Sequence, residues 1–202
     1  MNKYVLFFIL MSPLLSHSQN FNAGILSGIN TSQVSGDRLS GFNKLGIRLG
    51  GFINRNFGNF NYQIELQYIN KGSRESVKQT TYSEGYKFKV NYIEIPLLIK
   101  KSIYKKTAIE TGMKIGYLLN WEETYDGGSY LNLEVNKIEY TILIGFIRKI
   151  SDRLYLSSRL CNSINPIRAH FPGQTADVKS KGQYNTSVSF AIYYSFGKEI
   201  KK

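Results

Sequence analysis

The sequence predicts an all-β fold, an eight-stranded antiparallel up-and-down transmembrane β-barrel, on three observations. Eight stretches alternate apolar and polar side chains. Their connections run long, short, long, short, long, short and long, as expected of an outer-membrane barrel with tight turns at one end and long loops at the other. The polar side of the alternation also carries full charges inside the strands: Arg48, Glu65, Glu94, Glu110, Lys114, Glu139 and Arg159. An eight-stranded lumen is just wide enough to be filled by side chains, so these residues read as a structural polar plug and no open pore is expected.

Residues 1–18 read as an export signal. Asn2 and Lys3 precede an apolar run from Tyr4 to Leu15, which is too short to span a bilayer as a helix. Ser16 and Ser18 then place small residues at the minus-three and minus-one positions of a cleavage site before Gln19. The barrel domain is expected over residues 19–202. No cysteine sits at the cut, so a lipid-anchored N-terminus has no support.

The strands follow from period-two reading, in which alternate residues face opposite sides. The first is expected over 21–30 and the second over 42–54, with Leu45, Ile47, Leu49 and Ile53 facing lipid and Lys44, Arg48 and Phe52 facing inward. In the third, Phe60, Tyr62, Ile64, Leu66 and Tyr68 oppose Asn61, Gln63, Glu65 and Gln67, with Lys71 continuing the polar side. The fourth, 87–101, contains Pro96, which cannot donate to a ladder; a closed barrel has no edge strand to hide it on, so a bulge or local break is expected there. The fifth, 107–121, sets Ile109, Met113, Ile115, Tyr117 and Leu119 against Glu110, Gly112, Lys114 and Gly116. The sixth, 136–149, sets Tyr140, Ile142, Ile144 and Phe146 against Glu139, Thr141 and Gly145. The seventh spans 153–164, and the eighth runs from Tyr184 to Phe196 with the same clean alternation. The long loops are then 31–41, 72–86, 122–135 and 165–182. Each strand has the roughly 9–11 residues that a tilted crossing needs.

Composition excludes more than it identifies. The formal net charge is +12, from 26 Lys and Arg against 14 Asp and Glu. Nucleic acid is a poor explanation for it, because an exported chain is in the wrong compartment and no binding motif accompanies the charge. The excess gathers at the expected periplasmic end: Arg55, Lys100, Lys101, Lys105, Lys106, Arg148, Lys149, Arg153, Lys198, Lys201 and Lys202 face only Asp152 and Glu199 there, while the long loops are near neutral. Such a rim suits anionic headgroups or an acidic periplasmic protein partner. Cys161 is the single cysteine and reads as a packed strand residue, since it cannot form an intramolecular disulfide.

Catalysis has little support. His170 is the only histidine beyond the signal, and Ser163 and Asp177 are the nearby residues that would complete a triad with it. Glu122, Glu123 and Asp126 form an acidic group in the third long loop, but without EF-hand spacing they read as a solvated loop. No phosphate-binding glycine loop or zinc-ligand spacing occurs. We assign no catalytic, cofactor-binding or metal residue and no cofactor.

Beyond these patterns, NYIEIPLLIK, Asn91 to Lys100, preceded by QIELQYINKGS, Gln63 to Ser73, resembles the paired strand signature of PorT-family outer-membrane β-barrel proteins of Bacteroidota. The resemblance extends through GILSGINTSQVSGD, Gly24 to Asp37, through GMKIGYLLN, Gly112 to Asn120, and through LYLSSRLCNSINPI, Leu154 to Ile167. One departure is Cys161, Asn162 and Ser163, where similar proteins tend to carry Tyr and Gly. The resemblance implies an outer-membrane barrel, non-enzymatic, accessory to protein secretion. Its partners would be outer-membrane lipids, the barrel assembly machinery during insertion, reading an aromatic terminus such as Phe196, and a periplasmic protein at the basic rim. A ligand-binding surface barrel and a lipid-modifying enzyme are the alternatives.

Overall fold

The computed structural model of the chain describes residues 21–37, 39–75, 86–124, 133–170 and 182–197. The expected export signal lies outside them. Eight strands follow in chain order: β1 Phe21–Ser35, β2 Lys44–Phe57, β3 Phe60–Arg74, β4 Lys87–Tyr104, β5 Thr107–Thr124, β6 Ile138–Lys149, β7 Leu154–Ser163 and β8 Tyr184–Ser195. Each pairs antiparallel with its sequence neighbours, and β1 closes on β8 from Gly24↔Ser195 to Ser35↔Tyr184, giving a sealed cylinder. Closure satisfies the backbone of every strand from within the sheet, the condition for a β structure to sit in hydrocarbon. At one end the strands join through short turns, with two residues each at Phe57–Phe60 and Tyr104–Thr107; in the first, Gly58 has a φ of 57° that suits a two-residue hairpin. The long connections all leave from the other end.

The alternation resolves into an oily exterior and a polar interior. Ile64, Leu97, Met113 and Ile142 form one row of outward, cross-strand partners, each 48–55% exposed. From Phe60 to Tyr68 the outward residues of β3 are all apolar or aromatic, a run of about 27 Å along the strand at ~3.4 Å per residue. Tilted by about 40°, it covers roughly 20 Å of depth, close to the ~25 Å band of outer-membrane barrels. Exposed Phe21, Phe57, Phe60, Tyr104 and Phe196 ring its short-turn edge, and Tyr117 and Tyr140, with half-buried Tyr68, its upper edge. A soluble barrel would enclose this surface; here it faces outward, as in a protein of the outer membrane.

The strands run further than a hydrocarbon crossing demands. β1 continues to Ser35, β3 to Arg74 and β5 to Thr124, which shortens the first long loop to residues 36–43. At Pro96 the sheet shows the local break expected there, without a bulge. The β3–β4 pairing lapses opposite it, between Ile64↔Leu97 and Gln67↔Glu94, and resumes in the same register. The register shifts lie elsewhere, between β4 and β5 at Asn91/Tyr92 and at Ser102/Tyr104. The first leaves Leu119 as an extra residue, so the alternation switches face beyond it and Glu123, not Glu122, turns inward.

Leu97 lies in the middle of the outward band. Leu97→Arg is expected to destabilise the inserted barrel by about 2–4 kcal/mol, and Thr124→Arg at the loop end by no more than about 1 kcal/mol. Urea titration in lipid vesicles, followed by electrophoretic mobility, measures both.

Candidate functional site

The lumen is built in three layers from the inward positions of the strands. The middle layer is ionic. Arg159 on β7 grips Glu65 on β3 with both terminal nitrogens, each at 2.8 Å, and donates through Nε to Glu110 on β5 at 2.6 Å. Arg48 on β2 donates to the same Glu65 at 2.9 Å, to Gln67 at 2.6 Å and to the Tyr193 hydroxyl at 2.6 Å; that hydroxyl in turn donates to Glu65 at 2.9 Å. Lys71 bridges Glu94 at 2.9 Å and Glu139 at 2.6 Å, and Lys114 meets Glu94 at 2.9 Å. Gln67 joins the two groups by donating to Glu94 at 2.7 Å. All eight of these charged side chains are 3% exposed or less, so four cations and four carboxylates neutralise one another at the axis. Every charged residue assigned to the lumen from the sequence is found there.

The layer at the loop end is apolar, which alternation did not foretell. Val34, Ile69, Phe88, Val90, Tyr92, Val135 and Ile167 cluster there, with Tyr86, Leu118 and Trp121 against them. Arg168 closes the cluster: its guanidinium lies 3.9 Å from the centroid of the Phe88 ring, and it donates to Glu123 at 2.9 Å, to the Tyr86 hydroxyl at 2.6 Å and to Gln183 at 2.6 Å. Burial pushes the Tyr86 phenol well above its usual range, so it stays protonated and donates to Glu123. Arg168 reads from the sequence as an ordinary loop residue, and nothing in its local pattern marks it as a plug.

The layer at the short-turn end is open. A cavity of about 560 Å³ enters the barrel there, walled by Asn22, Asn54, Asn56, Asn61 and Ser195 and floored by Phe52, Tyr193 and Lys100. Lys105, Lys106 and Lys149 line its entrance, and no carboxylate lines it among the described residues. Lys100, counted with the rim from the sequence, is instead 7% exposed and donates to Gln63 at 2.6 Å inside the mouth. The asparagines around the Phe57–Phe60 turn were legible as a repeat in INRNFGNFN, Ile53 to Asn61, but only the register shows that they converge.

The residues weighed for catalysis and metal binding separate. Ser163 is 2% exposed and its hydroxyl accepts the Asn185 amide at 2.9 Å; Asp177 lies outside the described residues, and His170 sits beside Gly36 in the loop layer. Glu122 pairs with Lys89 at 3.5 Å on the outer face, whereas Glu123 faces inward to Arg168. Asp126 lies outside the described residues. Cys161 packs against Leu98 and Leu143, as a strand residue should.

Removing one member of the ionic layer leaves the others charged in a low dielectric. Glu65→Ala strands Arg48 and leaves Arg159 with Glu110 alone, and a loss of about 3–5 kcal/mol is expected in the same urea titration. Replacing Arg48, Glu65 and Arg159 together with apolar residues of similar volume is expected to recover most of that loss.

Among solved structures, Neisserial surface protein A matches with a TM-score of 0.54 at 11% identity, over 86% of this chain and 97% of that one. Ail, the attachment invasion locus protein of Yersinia pestis, matches with a TM-score of 0.47 at 11% identity, over 87% and 98%. No curated protein matches the chain. The family model described as the outer membrane protein beta-barrel domain matches residues 16–168, from before β1 to the loop that follows β7. With the sealed cylinder and its oily exterior, that match establishes that the chain belongs to the outer membrane protein beta-barrel domain family.

Proposed function

We propose that this protein is a non-enzymatic, non-conducting interaction barrel of the outer membrane, exported by residues 1–18, whose working surface is its periplasmic, short-turn mouth. The observation that carries this reading is the asymmetry of the lumen. Its centre is filled by paired ions and its loop end by an apolar cluster under Arg168, while the short-turn end is an open, cationic cup. Exposed basic residues at Lys105, Lys106 and Arg153 surround that opening, and a concentration of like charge raises the encounter rate with an acidic protein. A part in protein secretion, as the PorT-like signature around Asn91 to Lys100 implies by family analogy, fits a barrel that works towards the periplasm.

Two measurements test the proposal. Purified protein in planar bilayers should show no steady conductance; a stable ohmic pore would contradict the filled lumen. Changing Lys105, Lys106, Lys149 and Arg153 together to Gln should abolish salt-sensitive capture of a periplasmic protein by the barrel. Retention of every protein held by the unchanged barrel would remove the basic mouth as an interaction surface.

A further inference from the structure

We infer that the short-turn cup is a receptor for the C-terminal end of an extended peptide, with its terminal carboxylate meeting Lys100. This deepens the reading of the periplasmic mouth as the working surface and rests on it.

The shape selects a chain end. The cup of about 560 Å³ falls in the usual range of ligand sites, roughly 300–1,000 Å³. It has one entrance, because the layer of Arg48, Glu65, Tyr193 and Arg159 closes its inner side. A chain can enter a blind cup by a terminus and cannot thread through it.

Charge selects which terminus. Glu110 is the nearest carboxylate to Lys100, at 3.8 Å, but both its oxygens already accept from Arg159, at 2.6 and 3.0 Å. The four carboxylates of the ionic layer are matched by Arg48, Lys71, Lys114 and Arg159. Lys100 is therefore a fifth cation facing a cup that no carboxylate lines among the described residues. An incoming α-amine is repelled there and an α-carboxylate is held by a charge-assisted hydrogen bond.

The walls select a peptide over a bare anion. Asn54 Oδ1 and Asn61 Oδ1 are buried and accept no hydrogen bond in the structure, while their amide nitrogens donate to Gln63 at 3.2 Å and to Asn56 at 2.7 Å. Buried acceptors need donors. Phosphate or sulfate brings few or none, whereas a peptide brings an N–H at each residue. Asn54 and Asn56 are alternate, inward positions of β2, so their side chains repeat at about 6.8 Å, the two-residue repeat of an extended chain. The Tyr193 and Phe52 rings, 5.4 Å apart, supply an apolar floor for the last side chain.

The test uses the whole protein in nanodiscs and two pools of N-terminally biotinylated random hexapeptides, one ending in a free acid and one in an amide. The free-acid pool should yield retained peptides whose individual binding falls at least about tenfold on amidation, as loss of a charge-assisted bond predicts. Lys100→Gln should remove the preference for the acid, and Asn61→Leu should weaken both forms. Heat-modified mobility shows that each variant is folded. Equal retention of acids and amides, no retention of either pool, unchanged preference in folded Lys100→Gln, or displacement by inorganic phosphate as effectively as by free-acid peptide would each overturn the inference. If capture of a periplasmic protein is lost in the rim variant while acids and amides bind alike, the basic mouth stands and the terminus receptor falls. If the rim variant retains its partners while Lys100-dependent acid binding persists, the receptor stands without that partner.

Discussion

Within the hydrocarbon band, charge on this chain has no stable place except the barrel axis, and that confinement governs the rest of the structure. The outer face must be apolar over the hydrocarbon band, so each strand delivers its polar residues inward, where eight of them meet across a lumen wide enough for side chains alone. In such a space an unpaired ion costs several kcal/mol. The arrangement of Glu65 between two arginines and of Lys71 between two glutamates answers that cost, and Gln67 makes the two groups one network. The register of the whole sheet is coupled to this pairing, because a slip of one residue would turn every charge to lipid.

The two ends of the lumen are finished differently, and the difference comes from local irregularity in a regular sheet. The β4–β5 bulge around Leu119 changes which residues face inward above it. Trp121 joins the apolar cluster and Glu123 reaches Arg168, which spans the mouth from the loop between β7 and β8. At the other end the strands stop at short turns rich in asparagine and lysine, with nothing folded back across them among the described residues. One end is therefore a lid and the other a cup, which gives the barrel a direction.

Much of this was legible residue by residue. Ile64, Met113 and Ile142 could be placed on the lipid side, and Glu65, Glu139 and Arg159 on the axis, because a strand in a two-sided environment repeats every two residues. The limits have equally physical causes. Pro96 suggested a bulge or a local break, and the sheet takes the second: its missing donor costs a lapse in the β3 ladder, while β5 on its other side keeps the register through Pro96↔Lys114. Strand ends were read too short at Ser35, Arg74 and Thr124 because pairing persists above the hydrocarbon, where alternation no longer has a lipid face to mark it. Lys100 was misread as a rim residue, and the burial of Arg168 in its loop was missed, because burial of a long side chain depends on neighbours far away in sequence.

By itself, the sequence determined the class of fold, the number and order of strands and, within the hydrocarbon band, the face on which most strand side chains lie, since these follow from a period of two and from loop length. Only the tertiary structure decided which cation meets which carboxylate, that the loop end is stoppered and the turn end hollow, and that the one carboxylate near Lys100, Glu110, is shared with Arg159. Those outcomes depend on distances across a closed ring between residues as far apart as Glu65 and Arg159, and no local pattern encodes a distance across a cylinder.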